Sequence, residues 1–179
     1  MVVDTWTEIN ESLIKSIKDN SGLNCFIKNR SKFEGWLKVE ICNILSKNQN
    51  IDSLQVEKYI EDTKQHIDIY FEYKKSKYYI ELKTLNTSYK IAGIVDKIKP
   101  ITDNVNGVIK DIQKLKNIND DLAVKIVIFI VFPLDLSNEN QFEENHLSKI
   151  IKAEKFKLFK ETKIEFNNSK TGMLYLLEH

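Results

Sequence analysis

The run Val-Lys-Ile-Val-Ile-Phe-Ile-Val-Phe at residues 124–132 constrains the fold more than any other segment. Its apolar residues are nearly continuous and mostly β-branched or aromatic, and a strand with that pattern is covered on both faces. Pro133 follows and is expected to end it. A strand of this kind needs helices on both sides of its sheet, and the rest of the chain supplies them. Trp6, Ile9, Leu13, Ile14 and Ile17 recur at helical spacing within residues 6–18, with Asp4 or Thr5 as the cap. A polar stretch at 19–24 ends that helix, and Ser31 is expected to cap a second one reaching about Leu45. Val105, Val108, Ile109, Ile112 and Leu115 mark another helix, and a polar helix is expected over about 139–153.

Extended segments are read at 54–61, 66–73 and 78–84, with one or two more between Phe156 and Leu176. The second and third form a hairpin through Lys74–Lys77, whose turn lacks the usual Gly or Asn. Residues 85–102 carry no clear period and are read as a loop with room for a short helix. A hairpin followed by a crossover helix and a buried strand makes an α/β fold, a mixed sheet with helices on both faces.

Composition removes several classes of function. Two Cys, Cys25 and Cys42, offer no disulfide framework and no CxxC pair, so a reducing, cytoplasmic setting is expected. The longest apolar run, from Ala123 to Leu134, is far short of the roughly 20 residues of a membrane span, so no membrane partner is expected. No basic head precedes an apolar core at the N-terminus, so no secretory signal is expected. A formal charge of +1 excludes a histone-like surface. Leu177, Glu178 and His179 read as the remnant of a purification tag, which sets the domain at residues 1–176.

Strand alternation puts His66, Asp68, Tyr70 and Glu72 on one face of the second segment and Tyr79, Glu81 and Lys83 on one face of the third. A turn centred between Lys75 and Ser76 sets Asp68 opposite Lys83 and Tyr70 opposite Glu81. Asp68 and Glu81 are then diagonal neighbours, roughly 6 to 8 Å apart at Cβ, close enough to share one divalent cation. Acid-x-Lys occurs four times in the chain, at Asp62, Glu72, Glu81 and Glu161. Only the Glu81 copy lies mid-strand with an Asp on the same face of its hairpin partner. In the helix after Ser31, the stripe Phe33, Trp36, Leu37, Ile41 and Ile44 centres near Glu40, with Glu34 at its edge. A carboxylate on an apolar stripe is costly unless a cation or several donors satisfy it.

Read in order, Glu40, Asp68 and Glu81-Leu82-Lys83 resemble the PD-(D/E)XK nuclease superfamily. The resemblance covers about residues 31–132 and includes element order. It implies a restriction-endonuclease-like fold, an αβββαβ core with an extra N-terminal helix and C-terminal additions, in one domain. It further implies Mg2+, or Mn2+ in its place, held by Asp68 and Glu81 with Glu40 completing the metal site, and Lys83 positioning the attacking water. The activity implied is phosphodiester hydrolysis of nucleic acid, DNA first, by an endonuclease or exonuclease of defence, repair or mobile-element type. The alternative is a catalytically silent member that binds nucleic acid or a protein. Ile67 stands where the family often has Pro before the Asp.

Partners follow from the same residues. The basic side chains are 26 Lys and one Arg, Arg30, so a nucleic acid would be held by ammonium groups on phosphates. Lys110 and Lys114 are the phosphate contacts expected on the helix after the active-site strand, within a rim that includes Lys97, Lys99 and Lys116. Tyr70, with Tyr79, is a candidate for base stacking, and His66 for phosphate or metal. A homodimer is left open. The bland reading of Asp68, Glu81 and Lys83 is a cross-strand salt-bridge cluster.

Overall fold

The structure, a computed structural model, describes residues 2–96, 100–154 and 156–179. Its elements in chain order are α1 (Val2–Asp19), α2 (Leu23–Lys28), α3 (Glu34–Ser46), β1 (Ile51–Ile60), β2 (Gln65–Tyr73), β3 (Ser76–Asn86), α4 (Ile101–Lys116) and β4 (Val124–Leu134). They continue with α5 (Leu136–Phe142), a π-helical turn (Glu143–Leu147), α6 (Ser148–Glu154), β5 (Lys157–Glu165) and β6 (Thr171–Glu178).

The six strands form one mixed sheet in the order β1-β2-β3-β4-β6-β5, with β3 and β4 parallel and the other neighbours antiparallel. Helices flank it, as in a restriction-endonuclease-like core. β4 lies inside the sheet and is covered on both faces, as its apolar run requires. Ile126, Ile128, Ile130 and Phe132 pack with α1, α2 and α3, while Val127, Phe129, Val131 and Leu134 pack with α4, α5 and α6. Each such side chain, fully buried, is worth about 1.5–3 kcal/mol, and the two layers are held through this one strand.

Three expectations need correction. Pro133 does not end β4; the strand runs on to Leu134. The register with β6 breaks between Val131 and Leu134, where a residue without an N–H is tolerated, and Thr87 Oγ1 donates to the Pro133 carbonyl at 2.6 Å. Ser31 does not cap the second long helix, because α2 intervenes and α3 begins at Glu34 with Phe33 in the cap position. Leu177 and Glu178 are no appendage: Leu177 is fully buried and pairs with Val127 and Leu158, and Glu178 pairs with Ile126 and Lys157. Among the described residues no helix is long and apolar enough to cross a membrane.

Arg30 is fully buried between α2 and α3 with a left-handed backbone, φ 49°. Its guanidinium donates to the carbonyls of Val95 at 2.8 Å, Thr87 at 2.5 Å and Tyr89. The fork therefore ties down the chain that leaves β3, and it is spent on backbone.

Candidate active site

The hairpin that carries the acids turns at Lys74 and Lys75, both with positive φ (49° and 69°). That is the two-residue turn matched to strand twist, adopted here without Gly or Asn. It shifts the register by two residues from the longer turn expected: Tyr73 pairs with Ser76, Tyr70 with Tyr79 and Ile69 with Ile80. A two-residue shift keeps every side chain on its face. The step beyond Ile69 and Ile80 brings Asp68 level with Glu81, not with Lys83.

The ladder stops at that step, and the side chain of Asp68 takes its place. Asp68 Oδ2 accepts the backbone N–H of Leu82 at 2.8 Å, which fastens it to the residue between Glu81 and Lys83. Its Oδ1 is 2.7 Å from Lys38 Nζ, which also meets Glu57. Glu81 faces α4 and is 2% exposed, with Oε1 2.5 Å from Lys114 Nζ. Lys114 is thus the positive charge set directly against the buried carboxyl. Burial, with the nearby Asp68 charge adding to it, pushes the Glu81 carboxyl up to about 8 despite Lys114.

Lys83 lies 2.9 Å from Asp111 Oδ2 on α4. Burial works against its charge, but Asp111, Glu34 and Asp68 together outweigh burial and raise it. Asp111 is itself raised by burial, with Lys83 and Lys114 opposing. The start of α3 is clasped to the same strand: Thr84 N–H donates to Glu34 Oε1 at 3.1 Å, and Phe33 N–H donates to Thr84 Oγ1 at 3.2 Å. Glu34 thus stands at the residue after Lys83, on the side from which it acts on the Lys83 charge.

Asp68, Glu81 and Lys83 therefore come together, and Glu40 does not join them. Glu40 Oε1 accepts from Ser16 Oγ at 2.7 Å and lines an open groove between α1 and α3 with Trp36, Ile44 and Tyr73. The stripe read from sequence includes Trp36 and Ile44, which are only partly buried, and omits the buried Leu45. With Phe33, Leu37, Ile41 and Leu45 as the buried line, Glu34 falls about 40° from its centre and Glu40 about 80° at 100° per residue.

The expected nucleic-acid contacts divide similarly. Lys110 is exposed on α4, but Lys114 is half-buried on Glu81. Tyr70 is no stacking platform: it is 2% exposed, donates to Glu72 and lies under Lys58, whose Nζ is 3.2 Å from the ring centre. His66 is exposed beside Tyr59, ring centres 5.1 Å apart. Lys97 and Lys99 lie outside the described residues. Among the described residues, no group of three or more His, Cys, Asp or Glu is arranged to hold a metal ion.

Sequence reasoning missed Lys38 and Asp111. Asp111 had a readable signal, an acid one turn from Val108 and Leu115 at the edge of an apolar stripe. Lys38 had none, since a lysine at the edge of a helix stripe is ordinary.

Among curated proteins and among solved structures, nothing matches the chain. A family model described as "Competence protein CoiA, nuclease-like domain" matches residues 36–88, the stretch that holds Lys38, Asp68, Glu81 and Lys83, so this part of the chain is similar to a nuclease-like domain.

Proposed function

We propose that the chain is a nuclease that hydrolyses phosphodiester bonds in nucleic acid, DNA first, with a divalent cation, Mg2+ or Mn2+. The observation that carries the reading is the buried carboxyl of Glu81 level with Asp68, with Lys83 two residues further on. Its location in the stretch similar to a nuclease-like domain adds support.

The donor set suits such a cation. Hard divalent ions take carboxylate oxygens, and the buried Glu81 carboxyl lies beside the Asp68 charge, with Lys114 already supplying positive charge at Oε1. Asp68 and Glu81 would hold the ion. When bound, it supplies charge for the developing phosphoryl oxygens and acidifies a water. Asp68 keeps its bond to Leu82, which fixes the spacing of the two acids. Lys83, held charged and oriented by Asp111, directs a donor proton at the attacking water or a phosphoryl oxygen. Glu34 is the helix acid of this reading, replacing Glu40, and it holds Lys83 charged from the α3 side.

The second reading, a silent binding module on the same fold, draws on the lysine that sits on each acid of the cluster. Incubation of the purified chain with plasmid, linear and single-stranded DNA separates the two. Cleavage that needs Mg2+ or Mn2+ and disappears in Lys83→Ala supports the nuclease. Binding without cleavage in either metal leaves the module. Defence, repair and mobile-element settings were expected from sequence; the description of the matched model names competence.

A further inference from the structure

Two lysines occupy the acids proposed to hold the cation. Lys38 Nζ is 2.7 Å from Asp68, and Lys114 Nζ is 2.5 Å from Glu81. The third pair, Lys83 on Asp111 at 2.9 Å, involves no proposed ligand. Lys114 is at the solvent side of Glu81, their side chains 21% and 3% exposed, while Lys38 and Asp68 share one exposure, 20% and 21%. They come from different helices, α3 and α4, and each reaches an acid at the step where the β2–β3 ladder ends.

A divalent ion on the same carboxylates repels both ammoniums and takes over the negative charge that holds them. Its entry therefore favours their departure. The exchange is nearly neutral at the carboxylates, since two positive charges replace two. It is not neutral for the surroundings, because Lys114 is then without Glu81, and Lys38 keeps only the exposed Glu57, at the mouth of the site. A phosphate is the anion of fitting charge there, and ammonium is a point-charge phosphate ligand.

Resting on the nuclease reading, we infer that Lys38 and Lys114 are resident counter-ions that change partner when the cation binds, from carboxylate to nucleic-acid phosphate. Nucleic-acid binding is thereby made conditional on the cation. Lys83 keeps Asp111 throughout and takes no part in the exchange.

The test uses the full chain, Ca2+ as probe and a labelled DNA oligonucleotide shown by gel to stay intact. Calorimetry reads Ca2+ binding and anisotropy reads oligonucleotide binding, in EDTA and in Ca2+. For the parent chain, Ca2+ should tighten oligonucleotide binding at least tenfold and steepen the salt slope by about one to two, the value for one or two new phosphate contacts. Lys38→Met and Lys114→Met should bind Ca2+ at least as tightly as the parent, because a competitor is gone, yet lose most of that tenfold gain. Asp68→Asn should tighten metal-free binding severalfold by releasing Lys38, and Asp68→Asn with Lys38→Met should not; this arm does not depend on the fold surviving loss of Lys114.

Equal losses from the lysine substitutions in EDTA and in Ca2+ would overturn the exchange. So would an Asp68→Asn chain that binds no better than the parent without metal. Ca2+ that binds without tightening the oligonucleotide defeats the exchange alone. A parent chain that binds no divalent ion defeats the nuclease reading and the exchange with it.

Discussion

Asp68 and Leu82 are joined side chain to backbone, the Asp68 carboxylate accepting the Leu82 N–H at 2.8 Å where the β2–β3 ladder ends. The bond makes the position of one acid a property of the strand that carries the other. Asp68→Asn keeps an oxygen acceptor for Leu82, whereas Asp68→Ala leaves that donor to water, at about 1 kcal/mol. Both should abolish Mg2+ or Mn2+ binding in calorimetry, and only Asp68→Ala should lower the unfolding midpoint. Metal binding that persists in both variants would remove Asp68 from the ligand set.

Glu34 and Glu40 separate the sheet side of α3 from its α1 side. Glu34 is bonded to Thr84 N, whereas Glu40 is bonded to Ser16. Glu34→Gln should lower cleavage at least tenfold with the fold intact, because the amide oxygen can still accept from Thr84 while the charge beside Lys83 is lost. Glu40→Gln should leave the rate within twofold. The reverse order of effects would return the role to Glu40.

The contrast shows what a sequence reveals and where it stops. Alternation along β2 and β3 put Asp68, Glu81 and Lys83 on one side, and an even error in register leaves such a reading unchanged; in the structure the alternation of β2 breaks at Asp68, with Ile67 and Ile69 in opposite layers, and the Asp68–Leu82 bond is what holds the acid beside Glu81 and Lys83. The continuous run in β4 likewise dictated a strand buried on both faces. Choosing between Glu34 and Glu40 needed the centre of a helix stripe to better than one residue, and partly buried Trp36 and Ile44 moved it. The lysine on each acid depends on contacts between α3, α4 and β3, distant in sequence, which no local period encodes.

Glu81 gives the metal-free protein a definite pH dependence. Its folded value, about 8, lies above the ordinary 4.5, because burial and Asp68 oppose its charge more than Lys114 supports it. The stability linked to it is whole below about pH 4.5 and is lost as pH rises through about 8, on the order of a few kcal/mol. Urea unfolding in EDTA should show stability falling across this window, and Glu81→Gln should flatten the fall. Divalent ions need the deprotonated form, so their affinity should rise with pH over the same range. A parent and Glu81→Gln chain with identical pH profiles would show that Glu81 is ionised throughout.

Arg30 carries a prediction about the fold alone. Its planar fork reaches three carbonyls, of Thr87, Tyr89 and Val95, from a fully buried position. A lysine there keeps the charge but cannot serve three acceptors in one plane. Arg30→Lys should therefore cost about 2–4 kcal/mol, read as a lower urea midpoint at unchanged slope. A loss under 1 kcal/mol would mean that water satisfies those carbonyls equally well.

The burial of Arg30 also bears on how nucleic acid is recognised. Bidentate reading of guanine is chiefly an arginine task, and the chain's one Arg is committed to backbone carbonyls. Contacts to nucleic acid therefore fall to lysines such as Lys110, exposed on α4 beside Asp111. Affinities for duplexes of different sequence should agree within severalfold at one salt concentration and should all fall steeply as salt rises. Lys110→Ala should weaken every duplex alike and reduce the salt slope by about one, with or without a divalent ion, since Lys110 has no carboxylate of the site to leave. Binding that prefers one sequence a hundredfold and persists in high salt would place recognition on a surface other than this one.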